Sequence, residues 1–230
     1  MMLQDRKNKL INDLQNKGIK DNRVLSAINQ IPREIFLNDD FKPNAYEDKA
    51  LPIQCGQTIS QPYTVAFMSE LLDVQKEDKI LEIGTGSGYQ AILLFLMGAK
   101  VFTIERHDIL YRNASKLFKQ NKITINTRHG DGSLGWKEFA PFDRIIITAA
   151  APKISDILLA QLKIGGKMVV PVGDRNSQVM YLIEKVGEKV FKKFKKGKFK
   201  FVPLIGKDAW EDNTGERSNY NENCTDINPT

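Results

Sequence analysis

The sequence predicts an α/β fold: a mostly parallel sheet, helices on both faces, and antiparallel strands at its end. Three observations carry this. Short apolar runs rich in Ile and Val alternate with helical periods from residue 79 to 171. One of these runs ends in the glycine-dense turn Gly84-Thr85-Gly86-Ser87-Gly88 and passes straight into a helical pattern. Two hairpin-like segments then close the series, at 178–184 and 198–204.

The elements follow in order. Residues 4–18 and 21–31 read as helices, the second capped by Asp21 and stopped by Pro32. Residues 33–60 lack periodicity and carry Pro43, Pro52 and Gly56, which predicts a long ordered loop or lid. Pro62 suits the first turn of a helix over 62–73. Strands are expected at 79–83, 100–104, 123–128, 143–148 and 167–171, with helices at 89–97, 108–121 and 154–162. In such sheets, ligands bind beyond the carboxyl ends of the strands, where the strand order reverses.

The bulk properties bound the function. At 230 residues, one domain with a full core is expected. Its parts are N-terminal helices and a substrate-side loop (1–60), a core (61–206), and a polar tail without a stable fold (207–230). No apolar run reaches the roughly 20 residues of a membrane span, and Met1–Lys7 leads into a polar helix rather than a signal peptide. Cys55 and Cys224 make no disulfide framework and have no metal-ligand spacing. His107 and His129 are the only histidines. A cytoplasmic, metal-free enzyme is expected.

Much of the net charge of +6 is local, in Lys192, Lys193, Lys195, Lys196, Lys198 and Lys200. Such a cluster serves a nucleic acid or acidic partner, or protects a sheet edge. The edge hairpin is favoured, with Gly197 as its turn and Phe199-Lys200-Phe201 alternating as a half-buried strand.

The glycine spacing is G-x-G-x-G; the dinucleotide fingerprint needs a third glycine where Tyr89 stands. Glu82, just before the turn, would repel a pyrophosphate, and no phosphate-holding lysine follows. Both features favour the sulfonium cofactor S-adenosylmethionine. Glu105 lies 23 residues after Glu82, near the spacing of a ribose-binding acid. Asp131, between Gly130 and Gly132, is placed to accept from an adenine amino group, although alone it reads as an Asp-Gly turn. The residues expected at the cofactor are Glu82, Gly84, Thr85, Gly86, Ser87, Gly88, Glu105, Arg106, Asp131 and Gly132.

Several blocks single out one family. They are Ile31-Pro32-Arg33-Glu34-Ile35-Phe36, Ala45–Ile53, Gly56-Gln57-Thr58-Ile59-Ser60-Gln61-Pro62-Tyr63, Gly130-Asp131-Gly132, Phe142–Ala151 and Phe201-Val202-Pro203-Leu204. Over about residues 20–206 the chain resembles the protein-L-isoaspartate O-methyltransferases, most specifically in Thr58-Ile59-Ser60-x-Pro62 and Thr148-Ala149-Ala150. The resemblance implies a Rossmann-like S-adenosylmethionine-dependent methyltransferase fold. It also implies methyl transfer to the free α-carboxyl of L-isoaspartyl residues in damaged proteins and peptides, with repair through a succinimide. Ser60 is then the catalytic residue. Thr58, Ile59, Ser60, Gln61, Thr148, Ala149 and Ala150 would meet the substrate. Gln54-Cys55 departs from the family pattern, and Cys55 reads as a tolerated, partly buried thiol.

The chemistry suits these residues. The nucleophile is a carboxylate already ionised at pH 7, so no general base is required. The alternative for Ser60 is a helix N-cap before Pro62. Competing functions are a nucleic-acid methyltransferase, a nicotinamide oxidoreductase, and a non-catalytic peptide- or RNA-binding protein of the same fold. The first lacks the Asn/Asp-Pro-Pro-aromatic block, since Thr148-Ala149-Ala150-Ala151 stands there. Nucleic acid and membrane are therefore not expected partners, and the protein is expected to be a monomer.

Overall fold

A computed structural model describes residues 3–211. Helices α1 (Leu3–Asn16) and α2 (Asn22–Gln30) form where expected, and the Asp21 carboxylate accepts from the Arg23 N–H at the start of α2. The 33–60 segment is ordered. Two 3-10 turns, Arg33–Phe36 and Asp39–Asn44, are followed by β1 (Leu51–Pro52) and β2 (Thr58–Ile59), which pair antiparallel.

The core then alternates: α3 (Pro62–Leu72), β3 (Lys79–Ile83), α4 (Tyr89–Leu96), β4 (Lys100–Glu105), α5 (Asp108–Gln120), β5 (Asn126–His129) and β6 (Phe142–Ile147). It ends with α6 (Asp156–Ala160), β7 (Leu162–Gly173), β8 (Gln178–Gly187) and β9 (Val190–Phe199). The sheet order is β5-β4-β3-β6-β7-β8-β9. The first five of these strands are parallel and the last two pairings antiparallel. The chain leaves β3 toward β4 and returns on its other side as β6, so the strand order reverses between β3 and β6.

Alternate residues of the strands face opposite layers. Ile80, Val101, Ile146 and Val169 pack with α1–α5, while Leu81, Ile83, Phe102, Ile145 and Met168 form the second layer. That second layer is thinly covered. The helix expected over 154–162 is only five residues long, and Trp136 and Phe139 close over Phe102. The buried Lys185 ammonium donates to the Leu159 and Leu162 carbonyls and satisfies the end of short α6.

Two expectations about the C-terminal strands are corrected. The β8–β9 hairpin turns at 188–189, not at Gly197. Gly197 sits inside β9 at φ +109°, where three steps along β9 oppose two along β8. It is a bulge residue, because only glycine adopts that backbone without strain. The 198–204 segment is no sheet strand beyond Phe199. It crosses instead to the end of β6, where the Ala150 N–H donates to Val202 O and the Leu204 N–H to Ala150 O.

The expected tail lies outside the described residues from 212 onward. Residues 207–211 pack on the body. Asp208 bonds Ser155 and Lys153, and Trp210 lies under the Arg175 guanidinium.

Glu82 is a buried acid in the middle of this sheet. It is fully buried; one oxygen accepts from the Thr103 hydroxyl, which in turn lies 2.7 Å from that of Thr85, and the other has no hydrogen-bond partner among the described residues. Burial, opposed by the Thr103 bond and reinforced by nearby Glu105, pushes its pKa up from 4.5 to about 8. The folded state therefore holds this proton more tightly than the unfolded chain does. The stability Glu82 contributes is complete below about 4.5 and is lost as pH rises toward 8. Urea unfolding should show the wild type weakening relative to Glu82→Gln between pH 5 and 8. Parallel pH profiles would contradict this assignment.

Candidate active site

The site lies at the carboxyl ends of β3, β4 and β6. The turn after β3 bends through Gly84, Gly86 and Gly88, all at positive φ. Each glycine has its own cause. A Cβ on Gly84 would stand 2.6 Å from Thr148 Oγ1, and one on Gly88 would stand 2.7 Å from the Phe118 ring. At Gly86 an added Cβ would meet nothing nearer than 4.0 Å. That glycine opens the main chain to the cavity instead of packing it. The Thr148 hydroxyl, beyond β6, lies 2.9 Å from Ile83 O and 2.6 Å from Gly84 O and donates to the turn. The two strands at the order reversal are thus tied where the cavity begins.

Glu105 closes the other side. It ends β4, nearly buried, and its carboxylate accepts from the Gly86 N–H at 2.8 Å and from the His107 N–H at 2.9 Å. Glu105 lines the cavity, and a carboxylate oxygen that accepts one hydrogen bond retains capacity for another. An acid so placed suits two ribose hydroxyls and repels phosphate. The residues therefore fit S-adenosylmethionine, through a glycine at which the main chain is open and a carboxylate across from it.

Of the expected cofactor residues, Gly84, Thr85, Gly86, Ser87, Glu105, Arg106 and Gly132 line the cavity. Glu82, Gly88 and Asp131 do not. Glu82 lies beneath the turn, and its raised pKa leaves it mostly neutral at pH 7; the electrostatic case against a phosphate therefore rests on Glu105. Gly88 serves the approach of α5. Asp131 turns away. One oxygen accepts from the Ser133 N–H and hydroxyl, and the other accepts from the Lys207 N–H.

The substrate-side residues come from the N-terminal loop. Thr58, Ile59 and Ser60 line the cavity with Thr148 and Ala149. Gln61 lines an adjoining groove, and Ala150 is buried behind the wall. Ser60 is not a helix cap: Gln61 holds the N-cap position of α3 and makes no side-chain cap bond. No described residue hydrogen-bonds the Ser60 hydroxyl. Cys55 is buried and not a free thiol in this structure, which corrects the expectation of a tolerated thiol.

One residue prominent here was not expected as part of the site. Arg33 is 1 % exposed, and its guanidinium donates to Ala45 O, Lys49 O and Ser60 O at 2.8, 3.3 and 2.8 Å. It also lies over the ring of Tyr89, the first residue of α4, at 5.5 Å. Burial pushes its pKa below the ordinary arginine value. The roof was also missed: Val202–Ile205, Arg175 and Glu211 line the cavity from beyond β7 and β9. Only the Phe201–Leu204 block hinted at it. Among the described residues, no group of His, Cys, Asp and Glu could hold a metal ion, and no helix is long and apolar enough to cross a membrane.

Comparison with known proteins agrees with this geometry. The family model described as protein-L-isoaspartate (D-aspartate) O-methyltransferase matches residues 5–209. The chain is 54% identical over 202 residues to the protein-L-isoaspartate O-methyltransferase of Flavobacterium johnsoniae, covering 86% of this chain and 93% of the relative. It is 50% identical over 208 residues to that of Cytophaga hutchinsonii, covering 90% and 94%. A solved protein-L-isoaspartate O-methyltransferase superposes with a TM-score of 0.80 at 27% identity, over 88% of this chain and 67% of that one. A Plasmodium falciparum structure assigned to the same activity, in complex with S-adenosyl-L-homocysteine, gives 0.75 at 26%, over 86% and 97%. Site and comparisons together show that the chain belongs to the protein-L-isoaspartate (D-aspartate) O-methyltransferase family.

Proposed function

We propose that this protein methylates the free α-carboxyl of L-isoaspartyl residues, using S-adenosylmethionine, and so starts their repair. The observation that carries the reading is one cavity shared by the Ser60 hydroxyl, unclaimed by any described side chain, and the Glu105 carboxylate beside the open main chain at Gly86.

The chemistry needs little from the protein. One oxygen of the substrate carboxylate attacks the methyl carbon. The bond from that carbon to sulfur breaks, and its electrons stay on sulfur. No proton moves, so the step needs no general base from the residues that line the cavity. An anion and a cation lose charge together, so water slows the step and the roof of Val202–Ile205 favours it. The Ser60 hydroxyl donates to the second carboxylate oxygen and fixes the attack line. Ala149 leaves room for the substrate backbone. The product ester then closes to a succinimide without further help. A cytoplasmic monomer acting on damaged polypeptides completes the reading.

The test supplies methyl-labelled S-adenosylmethionine with matched isoaspartyl and aspartyl peptides, and separately with RNA. Base-labile label on the isoaspartyl peptide alone is expected; equal labelling of both peptides, label on RNA, or none would overturn the assignment. Ser60→Ala should fold and bind cofactor as the wild type does, yet turn over about 10- to 100-fold more slowly, the worth of roughly 1–3 kcal/mol of hydrogen bonding to a charged group. Unchanged turnover would remove Ser60 from the mechanism.

A further inference from the structure

A second groove opens from the active site, and its walls differ in character. Thr58, Ser60, Thr148 and Val202 line both cavities. Beyond them, one wall is an aromatic run. Tyr63 stacks on Phe67 at 5.8 Å, Phe67 on Phe199 at 5.4 Å, and Phe201 follows Phe199 at 6.4 Å. The other wall is the bulged end of β9, with Lys196, Lys198 and Lys200 exposed along it. No Asp or Glu is among the described residues that line this groove. None of the three lysines enters an ion pair among the described residues. Lys196 lies only over the Phe194 ring, at 5.6 Å.

Edge protection explains lysines on a terminal strand, and Lys192, Lys193 and Lys195 need no more than that. It does not explain why the Gly197 bulge brings three more to a groove continuous with Ser60. An extended polypeptide whose isoaspartyl carboxylate meets Ser60 has this groove as its onward path. Its backbone and apolar side chains would lie on the aromatic run, and its neighbouring side chains would face these three ammonium groups. Resting on the isoaspartyl reading above, we infer that Lys196, Lys198 and Lys200 form a subsite that selects isoaspartyl segments carrying Asp or Glu within a few residues of the damaged position.

The test measures kcat/KM for three isoaspartyl peptides that differ only in flanking residues: Glu, Gln or Lys. With one exposed charge pair formed, the Glu peptide should exceed the Gln peptide by about 1.5- to 5-fold at low salt, and the Lys peptide should fall below both. In about 0.5 M salt, where screening is nearly complete beyond a few ångströms, the differences should collapse. The triple variant K196Q/K198Q/K200Q should lose the Glu-to-Gln ratio. The Arg triple at the same positions should keep it, as should K192Q/K193Q/K195Q.

Equal kcat/KM for the three peptides overturns the inference while leaving isoaspartyl methylation intact. So does a ratio that survives in K196Q/K198Q/K200Q, or one lost equally in the distal triple. RNA binding abolished by K196Q/K198Q/K200Q, with the peptide ratio unmoved, assigns the lysines to nucleic acid and also overturns it. Failure of the wild type to label any isoaspartyl peptide refutes the underlying function instead.

Discussion

The site depends on one buried cation. Arg33 has almost no contact with water, and its guanidinium reaches three main-chain carbonyls spread over residues 45 to 60. This loop is long and has little regular structure to hold it: β1 and β2 contribute two residues each. Each carbonyl left unpaired in such a place would cost about 1–3 kcal/mol. The same guanidinium lies over Tyr89, and Tyr89 opens the helix that follows the glycine turn. Arg33 therefore joins the segment that carries Ser60 to the turn that offers the methyl donor. A planar fork with five donors can serve three acceptors at once; a lysine cannot reproduce that geometry.

The opposite half of the site rests on sheet topology. β3 and β6 stay paired to their carboxyl ends, but the strand order reverses between them, so the connections that follow lead to opposite sides and leave a crevice above those ends. Thr148 ties the floor of that crevice by donating from the end of β6 to the glycine turn after β3. Glu105 is held by two main-chain N–H groups, that of Gly86 in the glycine turn and that of His107 just after β4. The reaction asks for alignment and dryness rather than acid–base work, and these contacts are of that kind. The raised pKa of Glu82 fits the same picture, since a neutral carboxyl beneath the turn adds no charge that would compete with Glu105.

Much of this was legible in the sequence where the cause is local. The strand, the glycine turn and the helix after it are consecutive, so their pattern declares itself. Glu105 follows from strand spacing, and Thr58-Ile59-Ser60 is a contiguous block. What was not legible depends on distant partners. Asp131 reads as a ligand-facing turn residue until Lys207, 76 residues away, takes one of its oxygens. Gly197 reads as a hairpin turn; only the pairing with β8 shows it to be a bulge. Arg33 looks like any charged residue after a proline, and its three acceptors are main-chain atoms without a side-chain signature. The roof over the cavity forms because the chain after β9 crosses to Ala150, a contact no local periodicity encodes.

The most direct test of the Arg33 clamp is amide hydrogen exchange of Arg33→Met beside the wild type, under conditions where both remain folded. Faster exchange confined to residues 45–60, with wild-type protection kept over β3 and β4, is the predicted result. Wild-type protection over 45–60, or a loss spread evenly across both regions, would contradict it.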